Sequence, residues 1–199
     1  MSTKLERVRW CIAIFLGICT AFSLAAGATA VYAGPGSGSA GEGPGQTVPL
    51  QGNVHIQSPG SPHIPYNSDP PASGPHVNFI MRWGIHKAPV TREIQVHNLE
   101  DGGVIIQYRC DNCQELVSKL EAIVQKYQRN AAIERSQTGS QHPSRYEHLI
   151  LAPYPGMDAT IALTAWGKID KFNQFDEERI TKFIEAYIGI DHHPAREEQ

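Results

Sequence analysis

Half of the chain's 14 prolines, at positions 59, 62, 65, 70, 71, 75 and 89, stand within one stretch of about thirty residues. A proline ring removes a backbone donor and clashes with the preceding turn, so no continuous helix and no central strand runs through such a segment. Residues 51–92 must therefore be ordered loop. Tyr66, Phe79, Ile80, Met81 and Trp83 are apolar enough to wrap that loop onto a core formed elsewhere. Within it, Asn53-Val54-His55-Ile56 is a candidate short strand.

The rest of the chain must supply the core. Residues 93–109 read as a hairpin. Ile94 and Val96 alternate with Gln95 and His97, Glu100-Asp101-Gly102-Gly103 makes a turn, and Val104 to Tyr108 is a β-branched run. The spacing predicts a helix over 112–134, with Leu116, Leu120, Ile123, Val124, Tyr127 and Ala131 recurring three and four apart. Its cap is either Asp111 with Gln114 or Asn112 with Glu115. Residues 136–147 are polar loop. Residues 148–152 and 160–166 are short apolar runs, read as two strands joined by a turn over 153–158. A last helix starts at an Asp176 N-cap, with Phe175 and Ile180 as a hydrophobic staple. The order hairpin, helix, strand, strand, helix predicts an α+β domain. It has a mostly antiparallel sheet of about four or five strands with two helices on one face.

The N-terminal part is different. Residues 10–33 carry no charge and follow Lys4, Arg7 and Arg9. As a helix they span about 36 Å, enough for a bilayer core of about 30 Å. The basic flank predicts that everything after it lies outside the cytoplasm. Residues 1–33 are thus a signal-anchor that tethers the chain to the membrane. The other reading is a signal peptide cut after Ala33, which would release the domain to the periplasm. Residues 34–50 are a Gly/Ser/Pro linker, residues 51–190 the extracytoplasmic domain, and residues 191–199 a tail. Without residues 1–33 the chain holds 14 basic and 19 acidic side chains, a net charge of −5. With no basic patch, nucleic acid is not an expected partner.

Three groups of residues carry candidate chemistry. The first is a metal site at His76, His97 and Glu100, with Asp101 or His86 as additions. Imidazole and carboxylate suit zinc or copper, and Met81 or Met157 would add a thioether that favours copper. The competing reading makes both histidines loop anchors and Glu100-Asp101 turn chemistry. The second is Cys110-Asp111-Asn112-Cys113, between a strand and a helix. It is a thiol–disulfide exchange pair, a small structural disulfide or a pair of metal ligands. The third is a ligand loop at Tyr66, Asn67, Asp69 and Ser73, against which stands a turn that bonds only to itself. His142, His192 and His193 read as solvated. No nucleophile elbow or triad is present, so the default is a non-enzymatic domain. A non-catalytic partner-binding role in an envelope complex remains open beside the metal and thiol readings.

Tyr66-Asn67-Ser68-Asp69-Pro70-Pro71-Ala72-Ser73-Gly74-Pro75-His76 and His97-Asn98-Leu99-Glu100-Asp101-Gly102-Gly103 form two motifs. With Ala152-Pro153, the run Ile161 to Gly167 and the Phe175-Asp176 helix start, they resemble a bacterial family catalogued as domain of unknown function 3105. The resemblance covers roughly residues 53–190. It implies an exported, often membrane-tethered domain and no particular activity. Members often carry a further histidine where this chain has Asp101.

Overall fold

The computed structural model describes residues 43–110 and 112–193. Two elements dominate the core and follow directly from their periodicity. Helix α2, Gln114–Thr138, buries Leu120, Ile123, Val124, Tyr127 and Ala131. Helix α3, Glu177–Tyr187, buries Ile180, Phe183 and Ile184 and starts at Asp176, whose carboxylate accepts from the Arg179 N–H at 2.9 Å. Both pack on one face of a sheet, through Val104, Ile106, Leu149, Leu151, Ile161 and Leu163. Each such fully buried aliphatic side chain contributes about 1.5–3 kcal/mol. At the start of α2 the N-cap is Cys113, with no side-chain cap bond, so the Asn112/Glu115 box does not form. Asp111 lies outside the described residues.

The sheet has six strands. These are β1 (Gln46–Thr47), β4 (Gly84–Ile85), β5 (Val104–Tyr108), β6 (Leu149–Pro153), β7 (Ile161–Ala165) and β8 (Lys168–Phe172), in the order β1-β8-β7-β5-β6-β4. The pairs β1/β8, β8/β7 and β7/β5 are antiparallel, and β5/β6 and β6/β4 are parallel. A separate two-residue parallel ladder joins β2 (His55–Ile56) to β3 (His76–Val77). The expected strands at 148–152 and 160–166 are present. Lys168–Phe172 is a further strand, turning back after Gly167, whose φ of +68° suits glycine.

One expected element is absent. Residues 92–100 are not the first arm of a hairpin but a helix, α1 (Arg92–Glu100). Gly102, at φ +78°, donates its N–H to Leu99 O at 3.1 Å, and Gly103 donates to Asn98 O at 2.8 Å. Those two bonds are a Schellman helix ending, so the Asp-Gly-Gly signal closes a helix rather than turning a hairpin. Helix α1 lies on the opposite face from α2 and α3, against Ile105, Ile150 and Ala152. The alternation of β5 and β6 side chains supplies both faces. Two helices on one face is therefore right for α2 and α3, and α1 is a third helix on the other.

The α1 face is partly polar, and Gln95 and Asn98 on it are hydrogen-bonded. Gln95 Nε2 donates to Val90 O and Gln107 Nε2 donates to Gln95 Oε1, both at 2.6 Å. Asn98 binds both the N–H and the C=O of Met81, each at 2.9 Å. Among the described residues no helix is long and apolar enough to cross a membrane. Residues 10–33, where the anchor is expected, lie outside them.

Candidate metal centre

The ladder between β2 and β3 places His55 directly opposite His76. In a parallel pair, residues opposite each other project from the same face, so both imidazoles point the same way. Backbone bonds from Gly74 N to Gly52 O (3.1 Å) and from His76 N to Val54 O (3.0 Å) hold that register. Gly74, at φ +122°, takes a backbone conformation that side chains rarely adopt, and a Cβ there would crowd the Tyr66 ring at 3.2 Å. Helix α1 supplies the other two groups. His97 and Glu100 are three apart in its last turn and so share one face.

These elements bring His55, His76, His97 and Glu100 together, with one ligand atom from each within 4.8 Å of all the others. The His76 ring lies 4.8 Å from that of His55 and 5.0 Å from that of His97, edge-on to both. His76 and Glu100 have no solvent exposure, while His55 is exposed, so the cluster is open on the β2 side. The Trp166 ring, 6.2 Å from His76, forms part of the wall.

Hydrogen bonds set the tautomers. His76 Nδ1 lies 2.8 Å from Gly74 O, and His97 Nδ1 lies 2.6 Å from Val77 O. A carbonyl only accepts, so both Nδ1 atoms carry the proton, and in the neutral ring Nε2 presents a lone pair. Burial, foremost, lowers the His76 pKa; the His97 and His55 charges add to this, against the Gly74 bond and the Glu100 charge. His76 Nε2 is 2.9 Å from Glu100 Oε2, yet the pair lacks the alignment of an N–H···O bond. His76 Nε2 and both Glu100 oxygens are buried without a hydrogen-bond partner among the described residues. A lone pair facing a carboxylate in a dry site is unfavourable unless a cation lies between them.

The tail adds to this region. His192 N donates to Glu100 O at 2.9 Å, which sets His193 beside the cluster. His193 Nε2 is 3.4 Å from Glu100 Oε2 and 3.6 Å from Asp101 Oδ1, and His97 Nε2 is also 3.6 Å from Asp101 Oδ1. His192 stacks on Trp166. His192 is half-buried rather than solvated, and His193, though exposed as expected, is held in place, because the backbone bonds of residues 189 and 192 fasten this segment to the end of α1.

The other candidates lie apart from the cluster. His86 Nε2 donates to Arg82 O. Met81 packs with Leu99, and Met157 packs with Tyr154 and Ala162. Cys110 and Cys113 are paired with each other, their Cα atoms 5.8 Å apart, and belong to neither group of candidate ligands. The loop of Tyr66, Asn67, Asp69 and Ser73 bonds to its own surroundings. Tyr66 donates to Pro75 O, Asn67 Nδ2 to Pro49 O, and Gln51 N to Ser73 Oγ, while Asp69 accepts from Arg92 and Tyr154.

The family model described as a protein of unknown function, DUF3105, matches residues 57–199. The chain belongs to that family. The matched stretch contains His76, His97, Glu100, Asp101 and His193, and His55 lies two residues before it. No curated protein and no solved structure matches the chain.

Proposed function

We propose that this chain binds a divalent transition-metal ion, zinc or copper, through His55, His76, His97 and Glu100. Three imidazoles and a carboxylate form a four-donor set for zinc, and imidazole nitrogen also suits copper. The observation that carries the reading is the contact of His76 Nε2 with Glu100 Oε2, both fully buried and neither hydrogen-bonded. The backbone bonds to His76 and His97 are the outer-shell partners that orient a ligating imidazole and fix its tautomer. We further propose that the domain stands outside the cytoplasm, tethered through residues 10–33, in the envelope where such an ion would be met.

The test is calorimetric titration of the metal-free full chain with zinc and with copper, beside His76→Ala and His97→Ala. The expected result is binding by the wild type and a loss in each variant beyond the roughly 10–100-fold that an outer-shell change costs. Wild-type affinity no tighter than millimolar would overturn the proposal.

A further inference from the structure

Asp101 and His193 are left over once the four donors above are assigned. His193 Nδ1 lies 2.7 Å from Asp191 Oδ1, a carboxylate that orients the ring as an outer-shell partner does. The His193 Nε2 then faces Glu100 and Asp101, at 3.4 and 3.6 Å. Two ligands each about 2.1 Å from a tetrahedral ion sit about 3.4 Å apart, so these spacings match the edges of a coordination shell. His97, Asp101 and His193 likewise offer ligand atoms within 4.8 Å of one another. His97 has one nitrogen to give, because its Nδ1 is held by Val77 O. Glu100, in contrast, faces both groups, since its Oε2 lies 2.9 Å from His76 Nε2 and 3.4 Å from His193 Nε2, and neither of its buried oxygens has a hydrogen-bond partner among the described residues.

We infer that the centre holds two ions, the second bound by His193 and Asp101 and joined to the first through the Glu100 carboxylate. This rests on the metal-binding reading above and adds a second site to it. The first ion takes three nitrogens and one Glu100 oxygen. The second takes one nitrogen and two carboxylates, a more oxygen-rich set that leaves a coordination position for water. Bridged pairs of this kind stand about 3.5–4 Å apart. The C-terminal tail is thus part of the site, placed there by the bond from His192 N to Glu100 O.

Zinc alone is the probe, with bound ions counted by native mass spectrometry on the full chain beside calorimetric affinity. Wild type is expected to take two ions. His193→Ala and Asp101→Asn are each expected to take one, with the affinity of the remaining ion changed less than about 3-fold. Both positions are partly exposed, so the variants fold. One ion in wild type with unchanged affinity in His193→Ala overturns this inference and leaves the metal-binding reading standing. One ion in wild type and much weaker binding in His193→Ala makes His193 a further ligand of a single ion, and also overturns it. No ion in wild type removes both.

Discussion

Glu100 and His76 show at single-residue scale what a binding site costs the fold that carries it. A carboxylate buried without hydrogen bonds destabilises the metal-free protein, so Glu100→Gln should stabilise that form by about 1–3 kcal/mol while abolishing ion binding. Urea unfolding of the metal-free variant beside the wild type checks the first part, and zinc titration the second. The low pKa of His76, set mainly by burial, makes a second prediction. An unfolded histidine takes up a proton near pH 6.5. Between that value and the lower folded one, the unfolded chain holds more protons, so metal-free stability falls as pH drops below about 6.5. One such group contributes up to about 1.4 kcal/mol per pH unit. His192 is shifted down by its burial and acts in the same sense. His193 is raised, the Asp191 bond and the neighbouring carboxylates outweighing its burial, and acts oppositely. The direct readout is therefore His76→Gln, whose unfolding midpoint should fall less than the wild type's between pH 7.5 and 5.5. His76, His97 and Glu100 were legible in the sequence because each sits in a dense local motif. His55 was not, since its relation to His76 is made by strand pairing across twenty residues of proline-rich loop. His193 was missed because a charged, histidine-bearing terminus looks the same whether or not it is fastened down.

Among the elements, the helices α2 and α3 follow from apolar spacing, because one side of each meets hydrophobic neighbours, and the strands β6 and β7 follow from short apolar runs, because they are buried on both faces. Helix α1 does not. Its buried face includes Gln95, Asn98 and Glu100, so the apolar period is broken where the helix meets the sheet and the site. The remaining Ile94-Gln95-Val96-His97 alternation then imitates a strand. β8 hides for a similar reason, since Asp170 is nearly buried but paired with Arg179 at 2.6 and 2.7 Å. The ending of α1 gives a prediction at this scale. A Cβ on Gly102 would lie 2.8 Å from Ile190 N, on a backbone at φ +78°. Gly102→Ala should cost more than about 1 kcal/mol and push the tail off α1. Urea unfolding measures the first effect, and faster amide exchange at residues 189–193 the second.

For the whole molecule, an ion that binds only the folded state adds stability by mass action, about 2.7 kcal/mol at a free concentration of 100 times Kd. For a chain of this size that is about 5–10 °C in Tm, at about 2–4 °C per kcal/mol. Zinc should raise the wild-type melting temperature by at least that amount and raise that of His76→Ala distinctly less, as differential scanning calorimetry will show. The gain should not be spread evenly. The ladder between β2 and β3 is two residues long, and the stretch 51–77 joins the body through few backbone bonds. An ion shared by residues 55, 76, 97 and 100 clasps that arm to α1, much as a disulfide would, and closes a long loop whose opening is otherwise entropically favoured. Metal removal should then loosen the proline-rich arm before anything else. A protease offered the metal-free chain will cut first between residues 56 and 75, and zinc will protect those bonds while the core is already safe without it.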